Sequence, residues 1–255
     1  FEQAHLYTDL AGELATQNVA VLRLLLAVLH TVFSRVDEHG EDEPIEETDH
    51  ALDRWGALWN KNSFPIEPIK AYLHTQHEKF WLFHPERPFG QALSAAKGTE
   101  YSAAKLIGEL SESSNKIRLF PPRTGKDKTE ISYAESARWL LYVNGYDDTS
   151  AKPKGKNLPS PGAGWLGKLG LITAKGKTLF ETLMLNLVLL KEDYEPWEPN
   201  VPAWELPKAR EGERIEITIP DNPAALLTLQ SRRLLLERNN DKVTGYRLLG
   251  GDFFS

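Results

Sequence analysis

The chain has 255 residues, is 41% hydrophobic and 26% charged, and carries a net charge of −6. That composition excludes a disordered chain and a membrane-embedded one, and the negative total argues against a uniformly basic, phosphate-binding surface. No cysteine is present, which removes disulfides, Cys-ligated zinc, iron–sulfur clusters and thiol catalysis.

The total hides a split. Residues 115–178 hold twelve Lys/Arg and five Asp/Glu, a net of +7, whereas the remaining residues hold 18 and 31, a net of −13. The chain opens on Phe1-Glu2-Gln3, with neither an initiator Met nor the basic n-region of a secretory signal, so its natural start is expected to lie upstream. The longest apolar run, residues 19–33, contains Arg23 and His30 and falls short of the ~20 residues of a membrane span.

Taken in chain order, Thr16 is placed to cap a helix whose apolar residues follow at Val19, Leu22, Leu26, Leu29 and Phe33. Residues 38–49 form an acidic run with Pro44, read as a solvated loop. Thr48 or Asp49 then caps a helix with Leu52, Trp55 and Trp59 on one face. Pro65 and Pro68 start another, carried by Ile69, Tyr72, Leu73, Gln76 and Phe80. The prolines at 85 and 88 forbid helix after it. Residues 102–110 read as a weak helix, 115–130 as a basic loop with Pro121-Pro122, and 135–143 as a helix. Residues 147–170 form a Lys/Gly/Pro loop of a length that is usually functional or disordered. Thr178 caps a buried helix over 179–190. Beyond Pro196 the pattern turns to strands: 214–219, then 226–237 and 243–249 around the hairpin signal Asn239-Asn240-Asp241. The expected fold is therefore α+β, mostly helical over 1–195 and β-rich over 196–255, with helices followed by antiparallel strands.

Several chemical motifs fail on context. Gly162-x-Gly164-x-x-Gly167 spells the dinucleotide fingerprint, but no strand precedes it and residues 169–173 read as extended rather than helical. Gly125-Lys126 lacks the earlier glycine and following Ser/Thr of a phosphate loop. His74, His77, Glu78 and His84 could hold a metal only with ligands placed by the fold, and surface histidines on an amphipathic helix are the commoner meaning. No Ser/His/Asp set stands out. No cofactor, metal or catalytic residue is expected.

The basic loops are the positive signal. One holds Lys116, Arg118, Arg123, Lys126 and Lys128 around Leu119-Phe120. The other holds Lys152, Lys154 and Lys156, with Lys168 beyond. An apolar residue on a basic loop can wedge into a duplex, and Gly155, Gly162 and Gly164 let backbone approach a phosphate or base edge. A solvated lysine-rich surface fits the same composition.

Five segments in order resemble the CasA family, the large subunit of the type I-E CRISPR surveillance complex (Cascade). They are residues 22–29; Phe80-Trp81-Leu82-Phe83-His84-Pro85 with Pro88-Phe89-Gly90-Gln91; Gly164-Trp165-Leu166-Gly167 with residues 178–187; Pro202-Ala203-Trp204-Glu205; and residues 227–234 with Val243-Thr244-Gly245 and Gly251-Asp252. The resemblance implies a non-catalytic, cytoplasmic subunit partnered by crRNA-bearing Cascade subunits. It would recognise the protospacer-adjacent motif in duplex DNA, assist duplex opening and recruit a helicase–nuclease. It implies a mobile loop at residues 115–128, with Arg118, Leu119 and Phe120 nearest its apex, and a minor-groove glycine loop at 152–164, centred on Lys154-Gly155-Lys156. It also implies a segment before Phe1 and a C-terminal four-helix bundle after Ser255. Runner-up readings are a metal-dependent nuclease or hydrolase and a structural protein-interaction module.

Overall fold

A computed structural model describes residues 1–113, 115–147 and 162–254. α1 (Ala15–Phe33) has Leu14 as its N-cap and no side-chain cap, so Thr16 lies inside the first turn. The Gln17 and Asn18 side chains instead accept from the backbone N–H of Glu13 and Gly12, at 3.1 and 2.7 Å. The helix extends beyond the apolar run and, by length and composition, is able to cross a membrane. In this fold most of it is buried, packed against α3 (Ile66–Thr75), α6 (Tyr133–Tyr146), α8 (Leu179–Leu185) and α9 (Pro223–Leu227).

α2 (Thr48–Asn60) turns a different face inward from the one expected. Ala51, Arg54 and Leu58 are buried and Leu52 is 55% exposed. The reason is Arg54. Its guanidinium donates to the carbonyl of Phe33 (3.0 Å), the last residue of α1, and to those of Val36 (2.5 Å) and Glu43 (2.8 Å) in the segment that follows. Trp55 and Trp59 still pack on the core, stacked at 5.1 Å. α3 begins after Pro65 with Pro68 in its first turn, as the prolines require.

β1 (Thr99–Ser102) and the single turn α4 (Ala103–Leu106) replace the weak helix expected there. α5 (Lys126–Thr129) is another single turn. α6 is capped by Ser132 Oγ, which accepts from Glu135 N–H at 3.2 Å. α7 (Trp165–Leu169) lies inside the stretch expected to be loop. α8 starts at the expected Thr178 cap, at 3.1 Å from Glu181 N–H, but ends after seven residues. Asn186 ties it off, donating at 2.7 Å to Thr182 and Ala174 carbonyls and accepting from Ala174 N–H at 3.0 Å.

β2 (Arg214–Ile217) follows, and the first part of the expected strand 226–237 is helix α9 instead. Asn222-Pro223 signals it: the asparagine side chain accepts from Ala225 N–H at 2.8 Å and proline occupies the first turn. β3 (Arg232–Asn239) and β4 (Lys242–Gly250) form the expected hairpin, with Asn240 in the left-handed region at φ 55°. β1 joins β4 to make an antiparallel sheet ordered β1-β4-β3. β5 (Asp252–Phe254) pairs with β2 in parallel, a departure from the all-antiparallel expectation. The α+β class stands.

Two apolar clusters form. One gathers α1, α2, α3 and α8 with Trp204; the other gathers α4, α6 and the three-stranded sheet. Gln91 bridges the irregular 81–92 segment to the sheet, donating to Leu82 O at 2.6 Å and accepting from Leu236 N–H at 2.8 Å.

His30 lies in the first cluster, fully buried in the last turn of α1, with Nδ1 lacking a partner. Burial holds its pKa down at about 4, from 6.5. The folded state therefore favours neutral imidazole. Its contribution is complete above pH 6.5 and is lost as pH falls towards 4, a loss of up to about 3 kcal/mol. A His30→Gln variant should show a flatter dependence of the urea midpoint on pH across that window than the unmodified chain.

Candidate nucleic-acid interface

The basic loop 115–128 leaves α4 through a short bridge, with Ser113 and Lys116 exchanging backbone hydrogen bonds at 3.1 and 3.0 Å. Arg118 folds back: its N–H donates to Glu112 Oε1 at 3.1 Å and its Nε to Leu110 O at 2.8 Å. The chain then turns out, and Ile117, Leu119 and Phe120 are 73%, 84% and 86% exposed. Beyond Pro121-Pro122 it returns to the body. Arg123 joins Glu109 (2.9 Å) and Glu135 of the first turn of α6. Lys128 pairs with the buried Glu112, and that ammonium holds the Glu112 carboxyl below the usual carboxylate range. Lys116 and Lys126 are exposed and form no ion pair among the described residues.

The predicted cations thus divide into two sets. Arg118, Arg123 and Lys128 hold the base of the loop, while Lys116 and Lys126 remain available at its surface. Ile117 belongs with Leu119 and Phe120 at the apex. Its position two residues before Leu119 was the signal for it.

The second basic stretch is described only from Gly162 onward; Lys152, Lys154, Gly155 and Lys156 lie outside the described residues. What flanks them is held tightly. Asp147, at the end of α6, and Gly162 are both gripped by Arg232 of β3. Arg232 donates to Asp147 Oδ2 at 2.8 Å, to Asp147 O at 3.2 Å and to Gly162 O. Gly162 is left-handed, with φ 62°. Gly164 donates to Asp147 O at 2.7 Å, and a Cβ there would collide with the Gly145 carbonyl, so only glycine allows the approach. Trp165 N–H then donates to Ser231 Oγ at 3.1 Å, and the Arg23 guanidinium lies 4.5 Å over the Trp165 ring. Both described glycines serve the fold at this junction. Lys168 is exposed, its Nζ beside Gly162. The 162–167 glycine string opens a helix of only five residues, and residues 171–175 have no regular structure.

The 115–128 loop enters the N-terminus of α6 and Asp147 lies just past its C-terminus, so fourteen residues of helix, about 20 Å, lie between the Arg123–Glu135 anchor and the Arg232–Asp147 anchor. The histidines do not converge. His74 and His77 are exposed on α3 and just beyond it, whereas His84 Nδ1 accepts from the N–H groups of Glu86 and Arg87 at 3.2 and 3.0 Å. Among the described residues the one group with metal-ligand spacing is Asp37, Glu38 and His39, where the Asp37 carboxylate closes its own turn at 2.8 Å from two N–H groups.

The family described as CRISPR-associated protein Cse1 matches residues 1–254. The chain belongs to the Cse1 family. The CasA/Cse1 protein of Thermus thermophilus is 32% identical over 224 residues, which is 83% of this chain and 38% of that protein. The crystal structure of Thermobifida fusca Cse1 superposes with a TM-score of 0.76 at 29% identity, covering 100% of this chain and 47% of the other. A chain of a CRISPR RNA-guided surveillance complex shares the fold, with a TM-score of 0.71 at 20% identity over 98% of this chain and 50% of that one. This Cse1 chain therefore spans about half the length of those solved relatives.

Arg232 is the structural centre of this site in the Cse1 chain. An Arg232→Met variant should lose about 3–5 kcal/mol of unfolding free energy, because it breaks a buried ion pair. Arg232→Lys should recover less than half of that loss, since one ammonium cannot reproduce the planar fork that reaches Asp147 and Gly162 together. Urea denaturation of the three proteins measures both.

Proposed function

We propose that this chain is the DNA-facing part of the large subunit of an RNA-guided surveillance complex. It reads a short motif in duplex DNA beside the target, helps open the duplex, and offers a platform to a helicase–nuclease. It acts by binding, beside crRNA-bearing subunits in the cytoplasm, and carries no chemistry of its own. Family membership supports the setting. The observation that carries the reading is the 115–128 loop, where three exposed apolar side chains form an apex, Lys116 and Lys126 stand exposed on the same loop, and Arg118, Arg123 and Lys128 close its base.

A wedge of apolar side chains meets the cost of unstacking a base step, a few kcal/mol, by adding protein contact. The available lysines supply sequence-independent phosphate contacts. The minor groove has a degenerate code, which suits backbone and lysine contacts from the 152–164 segment.

The prevalence of apolar over cationic side chains at the apex supports a second reading, in which the loop docks on a neighbouring protein of the complex. Gel-shift binding of motif-bearing duplex by the assembled complex separates the two. Under the first reading, Lys116→Ala and Lys126→Ala each lower the slope of log affinity against log salt by about one, and Leu119→Ser with Phe120→Ser weakens binding at every salt. Arg123→Ala lowers the melting temperature with the slope unchanged. Loss of assembly on size exclusion in the Leu119/Phe120 variant, with salt slopes intact, establishes the second reading instead.

A further inference from the structure

A cavity of about 90 Å3 opens between α1, the 87–91 segment, α6 and residues 227–230. At about 10–15 Å3 for each water-sized occupant, it holds several. Four cations line it, Arg23, Lys79, Arg87 and Arg210, and no aspartate or glutamate does. Leu24, Leu141 and Trp204 supply apolar wall, and Gln91, Asn144, Thr228 and Gln230 supply neutral polar groups.

The cations are poorly compensated. Arg23 is 4% exposed, and its Nε has no hydrogen-bond partner. Its guanidinium makes a long donation to Leu229 O at 3.5 Å and lies over the Trp165 ring. Arg87 donates to Ala203 O at 3.3 Å and has no ion pair among the described residues, and neither has Lys79. Arg210 Nη1 makes no hydrogen bond; its counter-charge is Asp252 at 3.5 Å, which already accepts from Arg214 and Arg233. The buried Asn144 Oδ1 on the same wall also lacks a partner. Burial lowers the pKa of Arg87 and Arg210 and brings that of Arg23 to about 10. Desolvated guanidinium groups without acceptors are costly, and an anion is what satisfies them.

We infer that this cavity is a binding site for a phosphoryl group, free or carried on a small ester. Charge and donor chemistry select phosphate over carboxylate. Planar guanidinium forks pair with the oxygens of either anion, but a phosphate dianion answers more of the four positive charges than a carboxylate can. The inorganic hydrogen phosphate dianion also carries an O–H for Asn144 Oδ1, which an ionised carboxylate lacks.

Calorimetric titration of the full-length protein at neutral pH and low salt tests the assignment, using inorganic phosphate, a nucleoside 5′-monophosphate, the corresponding nucleoside, and acetate. Phosphate or the monophosphate should bind at one site, with the nucleoside and acetate at least about tenfold weaker. Whichever of the first two binds more tightly identifies the source of the group. Lys79→Gln and Arg87→Gln, at the half-buried rim, should each weaken that binding by about tenfold or more, with the melting temperature of the unliganded protein unchanged. No binding by either phosphate ligand, equal binding of acetate, or unaltered affinity in both variants overturns the proposal. The outcome is independent of duplex binding by the loops.

Discussion

Two adjacent arginines at the start of β3 cannot enter the same side of a sheet, because successive strand side chains point to opposite faces. Arg232 and Arg233 are both buried all the same, and each meets a carboxylate from a different part of the chain. Arg232 reaches Asp147 at the end of α6; Arg233 reaches Asp252 at the start of β5, at 2.6 Å. Asp252 also accepts from Arg214 of β2 at 2.7 Å, so the parallel β2–β5 pair and the exit of α6 are both referred to the same two residues. Burial alone would raise the Asp252 pKa, but Arg214 and Arg233 outweigh it and hold the carboxyl below its ordinary value. Buried ion pairs are weak evidence for stability but strong constraints on register. A slip of β3 by one residue would present each arginine to the wrong face, and the single irregularity between β3 and β4 falls at Glu237/Arg238, near the other end.

That constraint changes the meaning of the basic middle of the chain. A net of +7 over residues 115–178 suggests a broad positive surface, yet many of the described cations face carboxylates of their own fold. Arg123 holds Glu109 and Glu135, Lys128 holds Glu112, Arg138 holds Glu13 and Lys175 holds Asp9. Their charge is cancelled locally, and a partner meets mainly what remains at the surface. Count and sign on the sequence therefore overstate the field that a phosphate would feel.

Most of the fold was legible where local chemistry decides. Thr178, Pro65 with Pro68, and the Asn239-Asn240-Asp241 turn all mark real boundaries, because caps and turns need only nearby atoms. The failures involve distant partners. Leu52 follows its helical period, but Arg54 rotates α2 inward to serve carbonyls of α1 and of Glu43. The stop of α8 depends on Asn186 reaching back to Ala174. Leu226 and Leu227 are apolar enough to open a strand, and only the Asn222-Pro223 cap marks them as the end of a helix. At the candidate site, Lys116, Leu119, Phe120 and Lys126 could be picked out from type and neighbourhood. That Arg118, Arg123 and Lys128 would fold inward could not, since Glu109, Glu112 and Glu135 become their neighbours only once α4 and α6 pack together.

The resulting design separates what must be rigid from what must be available. Each basic segment is secured where it meets α6: one by Arg123 on Glu135 at the first turn, the other by Arg232 on Asp147 just past the last. Between these anchors α6 buries Trp139, Leu140 and Val143 against the sheet, so it cannot shift without opening the second core. A helix fixed in this way holds the Arg123–Glu135 and Arg232–Asp147 anchors at a set distance from each other. Ile117, Leu119 and Phe120 stand in solvent, while Arg118, Arg123 and Lys128 behind them are paired within the fold, so the base of the loop is ordered without any contribution from the apex.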